Sequence, residues 1–140
     1  MQRNGKVPIA RFRRLIGVVL MVYWIALFIS THAPIPKNVL PPEVSDKTLH
    51  FWAYSILAYL LALWTSIRWS LTGPCLLMLF IVLSCYGAAD ELLQITVNRN
   101  ADVYDWFADV CGAAAGLAGL RLTQTLFPQL QGVPDGKRCE

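Results

Sequence analysis

Lys47, His50 and Tyr54 recur at intervals of three and four residues, the spacing that places side chains on one face of a helix. Glu91 and Gln94 do the same further along. Asp102, Asp105 and Asp109, at i, i+3 and i+7, do so in a third stretch, with Arg99 in the link before it. These residue types admit definite chemistry. An imidazole such as His50 changes charge near neutral pH and can act as general acid or base. Crowded carboxylates at Glu91, Asp105 and Asp109 can share protons or hold a hard divalent cation. Lys47 and Arg99 suit a diphosphate, because ammonium and forked guanidinium groups hydrogen-bond phosphate oxygens. If the site is catalytic, His50, Glu91, Asp105 and Asp109 are the candidates. Yet the sequence has no GxSxG elbow, no HExxH and no P-loop, and no nucleophile stands out. The Lys, Arg-Pro and Ser-Gly-His signatures of membrane lipid-phosphate phosphatases are missing as well. The enzyme reading is therefore second choice. No Cys/His spacing of the zinc-finger type occurs, and neither a metal nor a cofactor is assigned.

What must position these groups is a hydrophobic chain. Of its 140 residues 56% are hydrophobic and 15% charged, and the mean hydropathy is +0.47, far from the soluble average. A bilayer core of about 30 Å needs about 20 apolar residues in a helix. The segments Leu15–Ser30, Leu49–Ile67, Pro74–Ile95 and Val103–Leu122 meet or approach that length. The fold class expected is all-α, a four-helix transmembrane bundle. Residues 1–14 form a basic tail, and 123–140, with its prolines and glycines, a flexible one. A signal peptide is the weaker reading of the first segment, since "ISTHAPIPK" lacks a clean cleavage site.

Basic residues resist translocation. With the N-terminus inside, the cytoplasmic side collects the N-terminal cations, Arg68, Arg121, Lys137 and Arg138, while the outside receives Lys37, Lys47 and Arg99. Both termini are thus expected to be cytoplasmic, and the 31–48 and 96–102 loops outward. The net charge of +3 reflects this topology and contact with lipid. Nucleic acid is not a partner, as no basic stripe interleaved with aromatics appears. The cysteines fall inside helices or on the reducing side and read as small hydrophobes or free thiols.

In this topology the acids gather at the outer face. Continuing the line of Asp102, Asp105 and Asp109 reaches Gly112 and Gly116, a GxxxG pair that lets a neighbouring backbone approach closely. The acidic stripe and the packing stripe coincide, so the carboxylates should face protein rather than lipid. Glu91, at the negative end of its helix dipole, needs a cation. Arg99 is the first choice and His50 or Lys47 the second. Ser45 or Asp46 caps the second segment, His32 reads as a solvated loop residue, and Asp90 as an interface-exposed charge.

The series "DKTLHFWAYSILAYL", "ADELLQ" and "RNADVYDWFADVCGAAAG" resembles the VanZ-like membrane proteins of bacteria. Their pattern is Lys-x-x-His-x-x-x-Tyr, then Glu-x-x-Gln, then Arg-x-x-Asp-x-x-Asp, an Asn four residues on, and a Gly-rich helix. Lys47, His50, Tyr54, Glu91, Gln94, Arg99, Asp102, Asp105, Gly112 and Gly116 match it; Asp109 stands where the family more often has Asn. The resemblance implies a VanZ-like membrane domain over 15–122 in the bacterial cytoplasmic membrane. It also implies a link to low-level resistance to teicoplanin, a glycopeptide antibiotic.

The leading functional reading is a non-enzymatic envelope protein. Its outer polar pocket, formed by the matched polar residues and Asp109, binds a lipid headgroup, a lipid-linked cell-wall precursor or another membrane protein. The alternatives are an enzyme acting on a lipid-linked phosphate or wall precursor by His/carboxylate acid–base chemistry, and a proton-coupled carrier. In a purely structural reading, the same polar groups only tie helices together.

Overall fold

Helices begin where the sequence supplies an oxygen for their free N–H groups. In a computed structural model, which describes residues 9–33, 45–97 and 101–128, Ser45 Oγ accepts from the Thr48 N–H at 3.2 Å. Thr72 Oγ1 accepts from the Cys75 N–H at 3.4 Å, and Asp102 Oδ1 from the Tyr104 N–H at 2.9 Å. The helices are α1 (Ile9–His32), α2 (Asp46–Ser66), α3 (Gly73–Gln94), followed by a 3-10 turn at Ile95–Val97, and α4 (Val103–Leu126). The described residues contain no strand. The apolar segments read from sequence coincide with these helices except that Ile67 and Ile95 fall just past the ends of α2 and α3, while α1 begins within the basic segment and α4 continues to Leu126. Apolarity marks what lipid can cover, whereas hydrogen-bonded helix continues through polar residues.

Three stretches, Arg11–His32, Asp46–Ser66 and Gly73–Val97, are long and apolar enough to cross a membrane. α4 matches them in length at 24 residues but carries its acids and glycines inward, which lowers its apolarity.

α2 and α4 form the tightest pair, and the reason is at Gly112 and Gly116. A Cβ on Gly112 would collide with the Phe51 carbonyl, and one on Gly116 with the Ser55 carbonyl and, at 2.9 Å, the Ala58 methyl. The bare backbones therefore touch, and the Ser55 hydroxyl donates to the Gly112 carbonyl at 3.0 Å. Leu57, Ala58, Ala62, Leu83, Ala113 and Leu120 fill the core below. α1 packs more loosely at the edge. It is pinned by the Tyr23 hydroxyl donating to the Ala53 carbonyl at 2.9 Å and by an edge contact of Trp24 on Tyr86 with centroids 5.2 Å apart. Its outward Val22 and Ile29 are exposed, as a lipid-facing surface requires.

Candidate functional site

The C-terminal ends of α1 and α3 and the N-terminal ends of α2 and α4 meet at one end of the bundle. His50, on the first turns of α2, is 6% exposed, and its Nδ1 lies 2.9 Å from Oδ1 of Asp109 on α4. One proton is shared there. With that proton on the imidazole, Nε2 is the acceptor nitrogen. Oε1 of Glu91, on α3, is 3.9 Å from the same Nδ1.

Asp109 is fully buried, and its Oδ2 has no hydrogen-bond partner among the described residues. Room for it comes from α3. A Cβ on Gly87 would lie 3.2 Å from that oxygen and 3.3 Å from the Asp109 Cβ, so only glycine leaves the carboxylate its full space.

Glu91 is held by short links. Its Oε2 accepts from the Asp102 backbone N–H at 3.0 Å, and its Oε1 from Gln94 Nε2 at 3.4 Å. The second-choice cation, His50, stands nearby, whereas Arg99 and Asn98 lie outside the described residues. Lys47 does not serve Glu91. Its Nζ donates to Asp102 Oδ2 at 2.9 Å and to Asp105 Oδ1 at 3.0 Å, clamping the start of α4 to the start of α2. The Lys47 ammonium and the Tyr104 N–H hold the exposed Asp102 carboxyl below its ordinary range. Asp102 is the cap of α4 rather than part of its inward stripe; Asp105 and Asp109 are the buried members. Tyr54 is 1% exposed, with its hydroxyl unpartnered among the described residues and its ring 6.0 Å from that of Tyr86.

Two sequence expectations are corrected. Asp90 is not an exposed charge: it is 2% exposed, accepting from the Thr31 hydroxyl at 3.2 Å and from Gln94 Nε2 at 3.3 Å. α1 closes over that face of α3, which hydropathy cannot reveal. His32 is not in a solvated loop but ends α1. It stacks on Phe28 at 4.2 Å, with Nδ1 3.7 Å from Asp90 Oδ1. The sequence reading also missed Thr31, Ser55 and Gly87. The signals present were the i, i+4 pairs Gly87–Glu91 and Asp90–Gln94.

A cleft of about 450 Å³ opens beside this network between α1 and α2, lined by Thr31, Asp46, His50 and Tyr54 among others. Ser45 takes the cap of α2, so Asp46 occupies its first turn, on the cleft wall. Two sets of groups could hold a cation: His50, Glu91 and Asp109, all buried, and Asp46, His50 and Asp105, their nearest donor atoms within 4.8 Å of one another. In the first set an ion would displace the proton between His50 and Asp109, since metal binding competes with protons.

Comparison with known proteins gives one positive result: the VanZ/LLP1 family model matches residues 15–124. No curated protein and no solved structure matches the chain.

Proposed function

Since the chain belongs to the VanZ/LLP1 family and has three helices fit to cross a membrane, we propose a multi-pass protein of the bacterial cytoplasmic membrane. Its polar cleft, at the outer face, binds a lipid headgroup or lipid-linked wall precursor. α4 is the fourth crossing, because it pairs along its length with α2. Both termini are cytoplasmic, which leaves Arg13, Arg14, Arg68 and Arg121 inside. A wall-precursor ligand would connect the protein to teicoplanin tolerance.

The observation that carries the reading is the cleft that ends on His50 and Asp46. It is large enough for a headgroup, and its walls offer a carboxylate, an imidazole and hydroxyls. Lys47 is already committed to Asp102 and Asp105, so the described walls favour a ligand bearing ammonium or hydroxyl donors over a bare phosphate. Where the ligand has a phosphate, Arg99 is the residue we assign to it from its type.

Native mass spectrometry of the detergent-purified protein tests this. A retained ethanolamine lipid or precursor adduct is expected in the wild type and lost in Asp46→Asn and His50→Gln. Adducts that persist in both variants would refute it. The second reading, acid–base catalysis on such a ligand, draws on the His50–Asp109 hydrogen bond, which fixes one ring nitrogen and frees the other. It requires turnover of the adduct that His50→Gln abolishes while adduct binding survives.

A further inference from the structure

The opposite end of the bundle carries a second concave feature. A groove of about 940 Å³ runs along α1 where it leans on α2 and α3. Arg13 and Arg14 from the start of α1 and Arg68 from just beyond α2 line one end of it, and Phe28 lies toward the other. From Arg13 to Phe28 is about 22 Å at 1.5 Å per helical residue, longer than the roughly 15 Å of one leaflet's hydrocarbon. Between those ends the lining is apolar, with Met21, Trp24 and Trp64.

Among the described residues the cationic end has no acid beside it. Among the described residues every carboxylate belongs to the polar end, and the ion pairs there involve only Lys47, His32 and His50. The Arg68 guanidinium lies over the Trp64 ring at 4.2 Å, and its Nε is buried without a hydrogen-bond partner among the described residues. A cation held on an aromatic face keeps its donors directed outward for an anion. The groove thus joins an apolar slot, more than long enough for an acyl chain in one leaflet, to a rim of guanidinium groups that have no carboxylate partner among the described residues.

We propose that this groove is a binding site for an anionic phospholipid, with the phosphate on Arg13, Arg14 and Arg68 and an acyl chain along α1 against Trp64. Charge complementarity selects this occupant. A second copy docked by the same face would set these arginines against their own equivalents, since a two-fold interface pairs a patch with itself. A zwitterionic lipid brings its own ammonium to an already cationic rim. The site is separate from the polar cleft, and neither proposal depends on the other.

The test is titration of the purified protein in neutral detergent with phosphatidylglycerol, phosphatidylcholine or inorganic phosphate, read by native mass spectrometry and thermal melting. Phosphatidylglycerol is expected to give one retained adduct and a raised melting temperature. Inorganic phosphate should give neither. Arg13→Gln/Arg14→Gln/Arg68→Gln should weaken phosphatidylglycerol about a hundredfold, each juxtamembrane cation being worth about fivefold. Arg68→Gln alone should weaken it about fivefold on the same basis, which keeps the test decisive if the triple variant does not fold. Met21→Trp, which leaves the charges and fills the slot, should also lose the adduct. Equal affinity for phosphatidylcholine, undiminished binding by the arginine variants, or full stabilisation by inorganic phosphate alone would overturn the proposal. So would a lipid-free dimer that Met21→Trp dissociates.

Discussion

His50 Nδ1 and Asp109 Oδ1 stand 2.9 Å apart with both residues buried, and they join α2 to α4 one helical turn above the glycine contact. A buried pair of this kind is costly to desolvate and costlier still to break, because removing one member strands the other in a medium that cannot solvate it. His50→Ala should therefore destabilise the protein by about 3–5 kcal/mol. His50→Leu combined with Asp109→Leu should cost much less than the sum of the two single changes. Unfolding in mixed micelles, run as a double-mutant cycle, measures the coupling; additive effects would show that the pair does not act as a unit.

Gly112 and Gly116 set the distance between the same two helices. Alanine at either would drive a methyl into a carbonyl of α2 and should cost about 1–3 kcal/mol through overpacking. Gly119 is the internal control: a Cβ there would meet only Tyr59 Cδ2 at 3.8 Å, ordinary contact. Gly119→Ala should hold the melting temperature or raise it slightly, alanine being the better helix former. If all three substitutions melt alike, close backbone approach is not what pairs α2 with α4.

These two relationships differ in how far sequence revealed them. The i, i+3, i+7 spacing and the GxxxG pair assign Asp105, Asp109, Gly112 and Gly116 to one inward face, since helical geometry is local. Partners are not local. Of the three candidate cations for Glu91, Arg99 lies outside the described residues and Lys47 turns to Asp102 and Asp105, while the described partners of Glu91 are a backbone N–H and a glutamine, with His50 at 3.9 Å. Asp90 and His32 were misplaced for a related reason. Their burial depends on where α1 settles against α3, and α1 carries no periodic polar stripe to announce that contact.

Lys47, Asp102 and Asp105 make a clamp whose pH response has a definite sign. The Asp102 carboxyl is lowered from its ordinary value of 3.8, so its link to Lys47 contributes stability above that value and loses it as pH falls through the lower, folded value. Carboxyl-carbon NMR of Asp102 should show a midpoint below 3.8, moving upward in Lys47→Met. A midpoint unchanged by that substitution would mean that the ammonium is not the cause.

Thr31 is the group through which α1 reaches the polar end, its one hydroxyl proton having Asp90 at 3.2 Å and the Phe28 carbonyl at 3.1 Å within reach. Thr31→Val keeps shape and removes the donor, so Asp90 should lose one of the hydrogen bonds that satisfy it in a buried setting, at about 1–3 kcal/mol. Thr31→Ser, which keeps the hydroxyl, should recover most of that loss. Because α1 also forms one wall of the cleft, the valine variant should in addition loosen the helix locally. Hydrogen exchange at the end of α1 is then expected to quicken while α2 and α4, held by Gly112 and Gly116, stay protected. Uniform quickening in all helices would mean that Thr31 supports the whole bundle rather than the seating of α1.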